Sequence, residues 1–387
     1  MVPFMPADRL WLFPPRLREG VAAERNATQL SDIGACESRV PPKARTSPEV
    51  EISSWMDLQQ HLRTLCSKPI LRPAIPVRWR KEKVVAREKV FGVKLVLWVI
   101  IALTALALGY LGVGLFVADR LSAPSHHPQE LTPTDVGLNY REVRIHSTDG
   151  LELAGWWVPG NDPSQAVVLV SGIAGDKSDR HVLKSTSVYA GANYAVLMID
   201  LRAQGHSEGE RVSMGYKEVR DVRGALLWLN KRGFTPGEVV LHGFSLGGAT
   251  VLRAAPESGV AAVVEESAYS DLPLILRQQL PKVSGLPSFF TPAIFLMGKL
   301  FLGIDPWAVR PEEDARRLCE EGVRLLIIHS KDDAVVPYEH AERIRKACPE
   351  AAFWKIEDYP HVGAYAHPRY RERLLNFLRT LEANEST

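Results

Sequence analysis

Cysteine is scarce in this chain: there are four in 387 residues and no C-x-x-C pair. That excludes a disulfide framework and gives no sign of a zinc ribbon or a dithiol redox motif. Net charge is scarce as well, since 47 Lys and Arg against 45 Asp and Glu leave a formal +2. With so little excess of one sign there is no electrostatic footprint for nucleic acid, and none is expected as a partner. Apolar residues make up 46% of the chain, an ordinary share, and its length allows one large domain with appendages or two modest ones.

Charge is also missing locally. Residues 95–117, "LVLWVIIALTALALGYLGVGLFV", form a run of 23 without a single charged side chain. As a helix the run reaches about 34 Å, enough to cross a hydrocarbon core of about 30 Å. It is expected as one transmembrane helix. The preceding "RWRKEKVVAREK" is dense in Arg and Lys, whereas Asp119 and Arg120 follow the run. The positive-inside bias therefore keeps the N-terminus cytoplasmic and places the large C-terminal part outside the cytoplasm. The run is too long for the apolar region of a cleaved signal, and Pro124 after "LSA" makes a poor cleavage site, so a signal anchor is the better reading.

Residues 1–90 are rich in Pro, Arg and Ser and are read as a disordered cytoplasmic tail. "SSWMDLQQHLRTL" within it has the pattern of a small amphipathic helix, and a start nearer the basic flank is an alternative reading of 1–77. Residues 122–137 read as a polar, proline-bearing linker, whose His126 and His127 are taken as exposed linker residues and not metal ligands.

From 138 to 387 the pattern becomes one of strands alternating with helices. "YREVRIHS" and "LELAGWWVP" alternate on either side of a "DG" turn, a hairpin signature. Wholly apolar strands follow at "AVVLVSG", "YAVLMID", "EVVLHGFS", "GVAAVVEES", "GVRLLIIHS" and "AAFWKIED". Most are separated by helical patterns, and "RYRERLLNFLRTLEA" closes the chain. Strands apolar on both faces with helices between them mean an α/β domain with a mostly parallel sheet covered on both sides. One interval breaks the rhythm. About 270–315 is longer than any strand–helix connection needs, apolar, and interrupted by prolines. It is expected as a helical lid at the C-terminal edge of the sheet, and Lys299 and the prolines argue against a second span.

Within "LHGFSLGGAT", Ser245 ends an apolar strand and opens a helix, with Gly243 and Gly247 two places to either side. A strand turning sharply into a helix needs small residues at those positions, and it presents the serine together with the backbone N–H of Leu246. A serine hydroxyl needs a base. Of the downstream histidines His329, His340, His361 and His367, only His361 lies in the loop between the last strand and the last helix, in "EDYPHVGAY". The histidine needs a carboxylate, and "HSKDDAVVP" offers Asp332 and Asp333, either of which could instead cap the next helix; Asp271 is a remoter candidate.

With these residues in view, the domain resembles the α/β-hydrolase family over about 138–382. The acid loop of that family often reads D-x-x-V-P, matched here by "DAVVP", which selects Asp333. "DLRAQGHSEG" resembles the loop after the fourth strand, with Asp200 and Arg202 as loop-ordering residues and Ala203 in place of a usual glycine. The loop after the third strand usually begins His-Gly, but here it is "VSGIAGDKSD", with Ser171 in the histidine's position. The resemblance implies a second oxyanion donor at the backbone N–H of Ile173.

It further implies serine hydrolase chemistry on a small-molecule ester or acyl substrate with an apolar part. Ser245 would be the nucleophile, His361 the base and Asp333 its orienting acid, with no metal or organic cofactor. A membrane-anchored serine peptidase or amidase is the alternative, and a non-catalytic binding module a more distant one. Cys319 and Cys348 flank the acid strand; they could pair in an oxidising compartment, although buried free thiols are the expectation.

Overall fold

A computed structural model describes residues 77–161 and 163–382. Most of the expected N-terminal tail, with its amphipathic segment, lies outside the described residues. Residues 77–90 are not irregular, as expected, but helical. They form the start of one 45-residue helix, α1 (Val77–Leu121), which contains the apolar stretch Phe91–Leu121 with an 18-residue window of mean hydropathy 2.4. The chain divides within α1 into a unit ending at Thr104 and a compact unit running from Ala105 onward. The second is described below.

Its centre is an eight-stranded sheet in the order β1-β2-β4-β3-β5-β6-β7-β8. The strands are β1 (Arg141–His146), β2 (Glu152–Val158), β3 (Ala166–Val170), β4 (Ala195–Ile199), β5 (Val239–Phe244), β6 (Ala262–Glu266), β7 (Arg324–Ser330) and β8 (Ala352–Ile356). β1–β2 and β2–β4 pair antiparallel, and every other pair is parallel. The expected α/β sheet is present, with each apolar run of the sequence on a strand. β3 and β4 are buried along their whole length because both faces are covered.

The covering helices are α2 (Arg180–Ala190), α3 (Val219–Asn230), α4 (Leu246–Ala254), α7 (Pro311–Glu320), α8 (Glu339–Ala347) and α9 (Tyr370–Glu382). One face of the sheet, with Val168, Leu241, Val263 and Ile327, shares a core with α3, α4, α7 and α8. The other, with Val167, Val240, Val264 and Ile328, packs on α2 and α9. In α9 the buried residues Leu374, Phe377, Leu378 and Leu381 recur at helical spacing, so one stripe meets the sheet.

The long interval after β6 contains two inserted helices, α5 (Leu272–Ser284) and α6 (Thr291–Leu302). Asp271 caps α5 by accepting the Leu274 N–H, and Gly285 and Gly303 end α5 and α6 in the left-handed region at φ 68° and 63°. The insertion is shorter than expected, because Pro311 begins α7, an ordinary crossover helix packed on the sheet. After α6 the chain bends by 92°, so no straight second span forms there.

Two further differences from expectation are local. Residues 122–137 are tied to the domain: Ser125 N donates to Ala203 O at 2.8 Å, Gly205 N donates to Ser125 O at 3.1 Å, and His126 Nδ1 lies 2.8 Å from Gly205 O. Leu131 and Val136 also pack on the core, which explains why so polar a stretch takes a fixed path. And Cys319 and Cys348 are not free thiols but form a disulfide with Cα atoms 5.6 Å apart. The packing of α7 beside α8 brings together two residues that are 29 apart in sequence.

Candidate active site

The strand order reverses beside β3, so the connections leaving β3 and β5 start side by side at the C-terminal edge of the sheet. Val170 pairs with Gly243, which brings the Ser171–Gly172 segment next to the turn that carries Ser245. Such a switch point leaves a crevice in an open α/β sheet.

Ser245 has φ 53° and ψ −115°, a conformation that is strained for any residue with a side chain. The turn is also crowded, because the end of β5 folds directly back on the first turn of α4. A Cβ on Gly243 would sit 2.2 Å from Gly247 O, and one on Gly247 would sit 2.2 Å from Val170 O. Both glycines are therefore sterically required. Gly172 packs against the serine itself, since a Cβ there would approach Ser245 Cβ to 3.2 Å. Ser245 N donates to Glu266 O at 2.8 Å, fastening the turn to the end of β6. Leu246 is the first residue of α4, so its N–H belongs to the turn without intrahelical acceptors, at the positive end of the helix dipole.

Asp333 follows β7 and is fully held. Its Oδ1 accepts the Val335 and Val336 N–H groups at 2.9 and 2.8 Å, while Oδ2 lies 2.7 Å from His361 Nδ1. Burial pushes its carboxyl up, but the hydrogen bond and charge of His361, with His329 and the Val336 N–H, outweigh burial and hold it below the ordinary range. An ionised Asp333 keeps the proton on His361 Nδ1 and leaves Nε2 as an acceptor; this tautomer is assigned from the hydrogen bond. Asp332 has another partner, accepting the Asp358 N–H at 2.7 Å.

His361 leaves β8, which lies two strands away from β6, yet its loop reaches back to the end of β6. Val362 N donates to Ser267 Oγ at 3.2 Å and Ala364 N donates to Glu266 Oε1 at 3.1 Å. Val362 and Ser267 take φ 54° and 58°, further strain concentrated at this edge. His361 is thus anchored to the strand end that also binds Ser245 N, although Ser245 Oγ and His361 form no hydrogen bond with each other. Of the other candidate histidines, His329 also lies near Asp333, with Nε2 3.5 Å from Oδ2, while His340 and His367 are engaged elsewhere. His329 Nε2 lies 2.9 Å from Val336 O, His340 is held by Ser270 and Gln278, and the His367 ring packs on Trp354.

The loop after β3 has a brace that the sequence did not advertise. Ser171 Oγ donates to Asp179 Oδ2 at 2.5 Å, and the same oxygen accepts the Asp176 N–H at 3.0 Å. Gly175 sits under this link, where a Cβ would lie 2.3 Å from Asp179 Oδ2. Desolvation pushes Asp179 up to about 6. His181 stands beside this brace, with Nε2 3.4 Å from Ser171 Oγ and its ring 4.6 Å from that of Phe244. Burial, aided by the charge of His361, lowers His181 to about 3 and keeps it neutral. Sequence reading missed Ser267, Glu266, Asp179 and His181; none stands in a recognisable motif. Ile173, the other expected oxyanion donor, lies in this loop and is 45% exposed.

The loop after β4 is ordered by ion pairs. Asp200 accepts from Lys177 Nζ at 2.5 Å and from the Lys177 and His206 N–H groups, and Arg202 pairs with both Asp149 and Asp221. Ala203 takes φ 58°, the left-handed position that a glycine would occupy without strain. Among the described residues no group of three or more His, Cys, Asp or Glu is arranged to hold a metal ion.

A family model for X-Pro dipeptidyl-peptidase (S15 family) matches residues 126–365, well over half of the chain. YfhR of Escherichia coli K12 is 28% identical over 250 residues, covering 61% of this chain and 79% of that protein. The membrane protein YNL320W of Saccharomyces cerevisiae is 24% identical over 253 residues, covering 64% and 82%. Among solved structures, the esterase Pf2001 of Pyrococcus furiosus superposes with a TM-score of 0.55 at 22% identity, over 67% of this chain and 98% of its own. The α/β hydrolase GrgF from Penicillium sp. sh18 does so with a TM-score of 0.52 at 18% identity, over 64% and 100%. At such identities the two structures speak to the fold alone. With the family match over the strand-end loops just described, the chain belongs to the S15 family and is a serine hydrolase of the α/β-hydrolase type.

Proposed function

We propose that the protein is a membrane-anchored ester hydrolase that works through Ser245, His361 and Asp333. The observation that carries this reading is the 2.7 Å Asp333–His361 hydrogen bond, in a loop pinned to the strand end that also holds the strained Ser245 turn. His361 Nε2 takes the Ser245 proton as Oγ attacks the ester carbonyl. The N–H groups of Leu246 and Ile173 hold the oxyanion, and His361 returns the proton to the leaving alcohol. Water then attacks the acyl-enzyme with His361 again as base, releasing the acid. The Ser245–His361 hydrogen bond that the reaction needs would form on substrate binding, when catalytic hydrogen bonds tighten.

The insertion α5–α6 is the lid and residues 138–382 the catalytic domain. Residues 95–117 anchor it, with the domain outside the cytoplasm; the Cys319–Cys348 bond favours that oxidising side. A peptidase or amidase reading is favoured by the name of the matching family. Turnover of p-nitrophenyl esters against aminoacyl amides, each with Ser245→Ala as control, separates the two. Efficient amide cleavage with idle esters would replace the ester reading. A reporter fused after Thr387 that is active only in the cytoplasm would reverse the orientation.

A further inference from the structure

The insertion is fastened to the stretch of α1 that is apolar enough to cross a membrane. Gly114 meets α6 so closely that a Cβ there would lie 2.7 Å from the backbone of Ala293. Tyr110 donates its hydroxyl to Phe289 O at 2.7 Å, and its ring lies 5.3 Å from that of Phe290. Val117 and Ala118 share a small apolar core with Leu280, Ile294 and Phe295, separate from the two cores on the sheet. Gly114 precedes the end of α1 by two turns, about 10 Å along the axis. A helix packed there lies at the depth of the outer leaflet when α1 spans the bilayer.

The free surface of the insertion suits that depth. Leu296, Leu300 and Phe301 on α6 are 42%, 64% and 65% exposed, and Phe289 just before it is 60% exposed. Three large apolar side chains on one short helix are costly in water and favourable against lipid. The single cation of α6, Lys299, turns to Asp305 at 2.7 Å and lies near the Trp307 ring, an arrangement typical of a membrane interface.

Between the end of α1 and the insertion opens a small apolar cavity of about 50 Å³. Its walls include Leu121, Leu276, Phe295, Leu302 and Met214. Met214 belongs to the connection after β4, and its carbonyl accepts the Tyr269 hydroxyl at 2.8 Å. Tyr269 stands two residues beyond Ser267, so the inner wall of the cavity is tied to the edge that carries the candidate site.

We infer that the substrate is a bilayer lipid ester, whose acyl chain enters sideways from the outer leaflet between α1 and the insertion, along the path that this apolar cavity marks. This rests on the ester hydrolase reading above. The reaction is the same acyl transfer: the acyl C–O bond breaks as the bond to Ser245 Oγ forms, the headgroup part leaves as the alcohol, and water releases the fatty acid.

The test uses the full chain reconstituted in phosphatidylcholine vesicles, with two substrates: p-nitrophenyl acetate from the water phase, and a fluorogenic long-chain phospholipid embedded in the bilayer. Leu276→Trp fills the cavity, and Phe301→Glu places a charge on the exposed face of α6 without touching the core. The ratio of long-chain to acetate turnover should fall at least tenfold in both variants. An unchanged ratio in both, or an equal fall on both substrates, overturns the inference. Wild-type protein that cleaves acetate but not the embedded lipid also overturns it and leaves the hydrolase standing. Wild-type protein that cleaves neither removes both readings.

Discussion

Replacing Cys319 and Cys348 together by serine opens a loop closed by residues 29 apart in sequence. In the chain-entropy account, a cross-link of that span removes about 3.6 kcal/mol of freedom from the unfolded chain at 25 °C. For a domain of this size each kcal/mol moves the melting temperature by roughly 2–4 °C, so the loss should be about 7–14 °C. The two ends lie on α7 and just after α8, helices that cover β7, so the effect should appear as earlier melting of the sheet domain. Calorimetry of the full chain in detergent micelles, with and without reductant, reads it directly. Reductant should shift the wild type to the melting temperature of the double variant and leave the variant unmoved. A non-reducing digest should also yield one linked peptide pair containing residues 319 and 348. Equal melting temperatures for oxidised wild type and variant, or a digest without the linked pair, would refute the reasoning.

Glu266 is buried and pushed up to about 8 by desolvation, despite accepting the Ala364 N–H. The folded chain therefore keeps a proton that the unfolded chain releases above about 4.5. Stability should fall as pH rises between those values, and Glu266→Gln should be more stable than wild type at pH 8, the two converging near pH 4.5 in urea titrations. Asp333 has the opposite sign. Its depressed pKa adds stability above about pH 4 that is lost as pH falls through the folded value. Asp333→Asn should lower kcat by about 10³–10⁴-fold and melt below wild type at neutral pH, the two converging as pH falls below about 4, which stopped-flow ester kinetics and calorimetry would check. Gly247→Ala puts a Cβ 2.2 Å from Val170 O and 2.5 Å from Ser171 O, so both sides of the crevice must shift. Activity should drop at least about 100-fold, and unchanged ester turnover would show the turn to be slack. Lys177→Met leaves Asp200 without its buried cation, a loss of about 3 kcal/mol by urea unfolding.

Much of the sheet was legible because its strands are short apolar runs bounded by turn residues. The Ser245 turn was legible because its steric demand falls on two glycines within four positions. What the sequence hid was pairing across distance. The brace Ser171–Asp179, the neutral His181 and the hold of Ser267 on the His361 loop each join ordinary residues that carry no local pattern. The disulfide escaped for the same reason, since one cysteine lies on α7 and the other just after α8, and only the fold decides how those helices pack. The linker was misjudged from its polarity, although its backbone pairs with the β4 loop. The helical start of α1 was hidden by a run of charges that resembles a tail but contains no helix breaker between Val77 and the apolar stretch.

The central claim is that Ser245 becomes a nucleophile because His361, held by Asp333, reaches it from the end of β8. A fluorophosphonate probe reads that claim in one gel. Wild-type protein should label on Ser245, Ser245→Ala should not label at all, and His361→Ala should label at least 100-fold more slowly. Labelling that persists in Ser245→Ala, or that proceeds at the wild-type rate in His361→Ala, would contradict the account.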